Sequence, residues 1–412
     1  MASAAPLEDL PVSLADIRAA ARRLEGSIVR TPTMRSGTLS ELTGANVYLK
    51  FENLQFTAAY KERGALNKLL LMDEVTRSRG VIAASAGNHA QGLAYHGARL
   101  KIPVTIVMPV PTPIIKVMQT EGHGATIVLH GETFDEAHAY ALELAEAREL
   151  TFVHPFDDLE IIAGQGTVAL EMLADAPEIN TLIVPVGGGG LLSGVGTAAR
   201  ALRNDVELIG VQAELYPSMY NKLGGHDLPS SGDTIAEGIA VKEPGRLTAD
   251  ILSRIVDEML LVPEATIEYA LSLLLQIEKT VVEGAGAVGL AALLEHPARF
   301  KGRNVGLILT GGNIDTRLLA NVLLRDLVRS GRLARLRIQL QDRPGALFNV
   351  ARLFDKHQVN IIEVSHQRIF TALPAKGLFA DIECEARDPE HLQRLVDDLK
   401  REGFPVRPVE TR

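Results

Sequence analysis

Residues 181–194 read TLIVPVGGGGLLSG. A β-branched run ends in four glycines, Gly187, Gly188, Gly189 and Gly190, and a small apolar run headed by Leu191 follows. Four consecutive glycines carry a high entropic cost, which a chain tolerates where something must approach its backbone closely. Backbone N–H groups at a turn that opens a helix form an anion site, and the helix dipole adds to it. The competing reading is tight strand–helix packing with no ligand. The same order of strand, glycine turn and helix recurs along the chain. Strand-like runs at 47–51, 80–84, 104–108, 125–129, 181–186, 208–212 and 304–309 alternate with helical patterns such as 65–72, 90–100, 133–149 and 162–174. The alternation predicts an α/β fold with a largely parallel sheet. Ligands in such sheets sit at the carboxyl ends of strands. SAGNHAQG (85–92), GGGG (187–190) and TGGN (310–313) all fall at such ends.

The 412 residues are 46% hydrophobic and 23% charged, the balance of a folded globular chain and not of a disordered one. The net charge is -9 and no basic block carries interleaved aromatics, so neither nucleic acid nor an anionic membrane is expected as a partner. A single cysteine, Cys384, excludes an intramolecular disulfide and a Cys-rich zinc site. The opening MASAAPLEDLPVS lacks the basic and apolar regions of a signal peptide. The longest apolar run, 270–277, is too short to span a bilayer. A cytoplasmic protein is expected.

Which anion the glycines hold narrows by exclusion. Gly187–Gly194 does not align to the dinucleotide pattern G-x-G-x-x-G, and no Lys-Ser/Thr follows it as in a P-loop. A true G-x-G-x-x-G match at Gly284–Gly289 reads as a decoy. It follows a helical pattern (266–280) instead of a strand, and no acid lies about 20 residues on. Pyridoxal phosphate (PLP) needs a phosphate cup, a lysine and a partner for its ring nitrogen. Lys61, after the 47–51 strand and at the start of a helical pattern, is a candidate for the lysine. Taken alone, a lysine at a helix start is far more often an ordinary surface lysine.

The segment FENLQFTAAYKERGA (51–65) resembles the Schiff-base segment of fold-type II PLP enzymes, and more narrowly that of the threonine/serine dehydratases. Four motifs stand in the family's order: the lysine segment, Ser85-Ala86-Gly87-Asn88-His89, Gly187 to Leu191, and Thr310-Gly-Gly-Asn313. The resemblance covers residues 1–330 as a PLP-dependent catalytic part. It implies a tryptophan synthase beta-like fold of two open α/β subdomains. It implies that Lys61 carries the cofactor and, once freed by substrate, takes the Cα proton. Gly187 to Leu191 would hold the phosphate, and Asn88 would contact the phenolic oxygen, unless it serves as a helix N-cap. Ser85, Ala86, Gly87, Asn88 and His89 would clamp the substrate carboxylate through backbone N–H groups. His89 is given a structural role in preference to that of a base. Thr310 would face the pyridine nitrogen where relatives usually place Ser. Glu283 would line the ring, or else be an ordinary helix-start carboxylate.

Three departures from the family pattern stand out. Ala86 occupies the place of the second serine that racemases use as a base on the other face. Gln212 replaces an acid of the racemase cation site, so no metal is expected. Ala59 precedes Tyr60-Lys61 where relatives read Ser-Phe-Lys, which removes a hydroxyl near the cofactor.

The character changes near residue 330. Residues 333–412 read as strand (336–340), helix (347–357), two strands (360–366, 378–385), helix (388–402) and short strand (406–409). This is a ferredoxin-like βαββαβ order. Asp342-Arg-Pro-Gly-Ala-Leu347 and 359–368 resemble an ACT-type regulatory domain. The resemblance implies a branched-chain amino-acid effector near Asp342–Leu347 and a homodimer or homotetramer. The alternative is an oligomerisation module without a ligand. For the whole chain the expected activity is conversion of L-threonine to 2-oxobutanoate and ammonia by α,β-elimination, with L-serine a poorer substrate. Serine dehydratase, 3-hydroxyaspartate dehydratase and serine racemase share the cofactor motifs and remain rivals. A non-catalytic amino-acid sensor remains too, although a sensor has no need of Lys61.

Overall fold

The computed structural model describes residues 10–409. Two compact units divide at residues 314 and 315. The segment before residue 10, on which much of the leader reading rests, and residues 410–412 at the end of the regulatory segment lie outside the described residues.

The first unit holds two sheets. The larger has six strands in the order Thr33–Ser36, Asn46–Lys50, Asn304–Ile308, Thr181–Pro185, Glu207–Ala213, Glu258–Val262, and only the first runs antiparallel to its neighbour. The smaller is four-stranded and parallel, in the order Thr126–Leu129, Val104–Met108, Val81–Ala84, Thr151–Phe152. It is inserted in the chain between strands Asn46–Lys50 and Thr181–Pro185 of the larger sheet. Helices cover the parallel strands, which explains their unbroken apolar runs: Leu182, Ile183 and Val184 are all fully buried. Parallel pairing brings the carboxyl ends of 46–50, 181–185 and 304–308 to one edge of the large sheet.

Three helices stack at their backbones beneath that edge. They are Lys61–Leu71, Leu159–Asp175 and Gly190–Leu202. A Cβ on Gly164 would come within 2.6 Å of Gly64 Cα, and one on Gly194 within 2.6 Å of Gly166 N. Glycine at these four positions lets the lysine helix and the helix after the glycine turn grip the same central helix.

The second unit begins with helix Thr316–Arg329, which the sequence pattern assigned to the catalytic part. The antiparallel sheet that follows has the order Asn360–Gln367, Gly377–Glu385, Leu333–Gln341, Val406–Pro408. Helices Ala346–His357 and Pro389–Arg401 complete the βαββαβ order. Its core includes Leu336, Ile338, Val350, Phe354, Ile382 and Leu399. Cys384 lies in that core, and burial pushes its thiol up to about 12, so it is inert packing.

Candidate active site

A turn in the left-handed region sets the lysine. Ala58 has φ 54°, and the next residue, Ala59, forms a lone β-bridge with Gly311. Gly312 N donates to Ala58 O at 2.8 Å, and Tyr60 N donates to Thr310 O at 3.1 Å. Lys61 then opens its helix. The lysine and Thr310 segments, 249 residues apart in sequence, are thereby stitched together by main chain. Ala59 is fully buried in that stitch.

Lys61 is half-buried, and its Nζ donates to Pro155 O at 2.8 Å. Burial lowers its ammonium to about 8, while the charge of Glu283 pulls the other way. A buried ionic cluster lies behind it. Arg63 forks onto Glu52 (2.7 and 2.7 Å) and onto Glu171 (2.7 and 2.8 Å), and Lys50 donates to Glu171 at 2.6 Å. Two cations meet two carboxylates, so the cluster is neutral, and its bidentate geometry fixes the lysine helix against Leu159–Asp175.

Asn88 is the first residue of helix Asn88–Leu100, and Gly87 is its cap. The Asn88 side chain is therefore free of capping and forms a relay: Nδ2 donates to Glu283 Oε1 at 2.8 Å, and Oδ1 accepts from Asn313 Nδ2 at 2.8 Å. Glu283 is buried, which raises its carboxyl to about 7. Glu283 stands at the start of helix Gly284–Glu295, and its N donates to Gly311 O at 2.9 Å. The Gly284–Gly289 match opens the buried helix Gly284–Glu295, and Gly286 packs against Thr310 N, so its glycines serve close packing. An ion pair from Lys116 reaches Glu237, and the adjacent Gly238 packs against the Glu283 carboxyl. A cavity of about 390 Å³ opens beside the relay, lined in part by Thr57, Ala58, Gln91, His123 and Asn313.

Ser85 N donates to Val107 O at 3.2 Å, and Gly87 N donates to Ser85 Oγ at 3.3 Å, so the loop Ser85, Ala86, Gly87 turns sharply into its helix. His89 is buried with Nε2 on Val153 O at 3.0 Å. Burial and the nearby Lys61 hold it down at about 3, a neutral structural imidazole. Gln212 is also structural: Oε1 accepts from Tyr220 N at 2.8 Å, and no cluster of acids, His or Cys fit for a metal occurs among the described residues.

At the glycine turn, Gly189 has φ 97° and caps helix Gly190–Leu202. A Cβ there would come within 2.8 Å of Met219 Cε and Thr248 Cβ, so only glycine fits. The N–H groups of Gly190, Leu191 and Leu192 begin the helix without intrahelical partners.

Residues 153–158, which motif reading passed over, join these parts. Val153 O holds His89, and Pro155 O holds Lys61. The Phe156 ring lies against Gly188, and its backbone against Gly190. His154 Nδ1 accepts from Phe156 N and Asp157 N (3.2 and 2.8 Å), and Asp158 caps helix Leu159–Asp175 while pairing with Lys68 at 2.7 Å. The signal was the run HPFDD after a strand of two residues.

The arrangement fits PLP on one observation above others. Thr310 Oγ1 is buried without a hydrogen-bond partner, beside the lysine loop, where a ring nitrogen would complete it. Gly187 to Leu191 would take the phosphate, Lys61 the aldehyde carbon, and Asn88 the phenolic oxygen.

Comparison with known proteins places these residues in context. The model of the family described as pyridoxal-phosphate dependent enzyme matches residues 24–311, and that of the ACT domain matches residues 334–401. The L-threonine ammonia-lyase of Thermotoga maritima is 42% identical over 400 residues, covering 97% of this chain and 100% of that one. The processed form of threonine deaminase isoform 2 from Solanum lycopersicum superposes with a TM-score of 0.70 at 36% identity, over 75% of this chain and 86% of that one. Maize serine racemase superposes with a TM-score of 0.72 at 32% identity, over 77% and 98%.

Proposed function

Because the chain belongs to the pyridoxal-phosphate dependent enzymes and carries an ACT domain after the catalytic part, we infer that its reaction is the deamination of L-threonine. The chain is a threonine ammonia-lyase, and its cofactor is PLP. Threonine loses its Cα proton and its β-hydroxyl, as water; hydrolysis of the resulting enamine takes up one water and gives 2-oxobutanoate and ammonia. The observation that carries this reading is Lys61, an amine lowered to about 8 with its Nζ held on Pro155 O.

Bound PLP supplies an electron sink conjugated to the substrate nitrogen. Lys61, once free as an amine, takes the Cα proton, for which a value near 8 suits a base working near neutrality. The N–H groups of the Ser85–Asn88 turn bind the substrate carboxylate. Thr310 offers a neutral hydroxyl to the ring nitrogen, which favours an unprotonated ring and prompt elimination. Asn88, held by Glu283 and Asn313, fixes the ring edge. Ala86 provides no base on the opposite face, which argues for elimination over racemisation. We assign L-serine as a secondary substrate. A panel of L-threonine, L-serine, D-serine and 3-hydroxyaspartate with 2-oxo acid detection tests the reading, and a lead for any substrate but threonine overturns it.

The ACT domain supports an amino-acid effector. A branched-chain amino acid bound at Asp342–Leu347 is our reading of it, with the turn open at Gly345 (φ 82°), where an added Cβ would meet nothing. Calorimetry with isoleucine and valine should give heat, and its absence with unaltered kinetics refutes the assignment. A dimer or tetramer is supported by the edge strand Asn360–Gln367, which leaves Ile362 and Val364 exposed. Light scattering on the full chain reads that state directly.

A further inference from the structure

The glycine turn is held from behind. Gly188 O accepts from Thr248 Oγ1 at 2.6 Å and from Gly245 N at 3.2 Å, so both of its lone pairs are engaged. Thr248 is fully buried on helix Arg246–Ile255. Its own N–H donates to Asp157 Oδ1 at 3.0 Å, and Arg246 N donates to Asp157 Oδ2 at 3.1 Å. Asp157 belongs to the same segment that supplies the Lys61 acceptor and the ring against the glycines. The C=O and N–H of a planar trans peptide point in opposite directions. No cis bond occurs among the described residues. With Gly188 C=O turned onto Thr248, the N–H of Gly189 must face away from it.

We propose that Thr248 and Asp157 are positioning residues for anion recognition: the Thr248 hydroxyl locks the Gly188–Gly189 peptide plane so that Gly189 N–H is presented to the phosphate. Two hydrogen bonds accepted at the carbonyl also polarise the same peptide and strengthen its N–H as a donor. Without the lock the plane can rotate, since glycine on both sides offers little resistance. Neither residue touches the cofactor in this scheme; both act through the backbone of the turn. The inference rests on the assignment of PLP to this site.

The test compares two ligands on the full-length chain. Equilibrium affinities for PLP and for pyridoxal, which lacks the phosphate, are measured by fluorescence for the parent chain, T248A, T248S and D157N. Alanine removes the hydroxyl, whereas valine would place a methyl at the 2.6 Å position. T248A should bind PLP roughly fivefold to tenfold more weakly with pyridoxal affinity unchanged. T248S should restore PLP binding, and D157N should show the same phosphate-selective loss to a smaller extent. Equal weakening of both ligands in T248A, or no weakening of PLP, overturns the positioning role. A parent chain that binds pyridoxal as tightly as PLP would instead overturn the cofactor assignment itself. Should T248A fail to fold, D157N and T248S decide, because a phosphate-selective loss in D157N that is absent in T248S is still required.

Discussion

Lys61 gives the sharpest quantitative expectation. Its ammonium is lowered to about 8 because burial strips water from the charged form, and Glu283 only partly offsets this. At pH 7 about one Lys61 in ten is then a free amine, against about one in 2,500 for an ordinary lysine near 10.4. In the cofactor-free chain Lys61 should therefore acylate roughly two-hundred-fold faster at pH 7 than lysines of ordinary pKa would if equally exposed and equally nucleophilic. Competitive labelling with an acetylating reagent, read peptide by peptide across pH 6 to 11, gives the midpoint directly. A midpoint near 8 at Lys61 is expected. E283Q should move it lower, because the carboxylate favours the ammonium. The folded value lies below the unfolded one, so between about 8 and 10.5 the unfolded chain holds more protons than the native one. The stability of the cofactor-free chain therefore rises with pH across that window. A Lys61 midpoint near 10, or an upward move in E283Q, would refute the argument that burial prepares the base.

Other expectations follow from the same site. R63M leaves Glu52 and Glu171 facing Lys50 alone, and should cost about 3–5 kcal/mol in urea unfolding; a loss below about 1 kcal/mol would show that the cluster rearranges freely. G189A places a Cβ at φ 97° against Met219 and Thr248. It should weaken cofactor retention on dialysis and lower stability by roughly 1–3 kcal/mol. T310V removes a hydroxyl that has no partner in the chain. Stability should hold within about 0.5 kcal/mol while kcat and the visible absorbance of bound cofactor change; unaltered absorbance and kcat would remove Thr310 from the ring nitrogen.

Much of this fold was legible because buried parallel strands announce themselves as apolar runs ended by glycine. The elements missed were those without that signature. Thr33–Ser36 is a largely exposed antiparallel edge, Thr151–Phe152 has two residues, and Glu258–Val262 is an edge strand that reads as part of a longer apolar stretch. Thr316–Arg329 continues the character of the catalytic part in sequence, yet it packs with the strand Leu333–Gln341. At the site, Lys61, Asn88, Thr310 and the glycines were legible because their chemistry resides in residue type. Pro155 and Phe156 were not, since a carbonyl oxygen and a ring edge act there by position. The Asn88 relay was half legible: the asparagine stood in a motif, but Glu283 was joined to it only by a fold that spans 195 residues.

The place of strand Asn304–Ile308 has a consequence for biosynthesis. It pairs on one side with Asn46–Lys50 and on the other with Thr181–Pro185, yet it is the last strand of its sheet to leave the ribosome. Until then the nascent chain carries a slot in the middle of its largest sheet, with two apolar strand edges unpaired. Thr310 and Gly311, which anchor the lysine loop, follow directly behind the strand that fills that slot. A chain stopped before residue 304 should be aggregation-prone as well as inactive, and a peptide of the missing strand should find a ready-made vacancy.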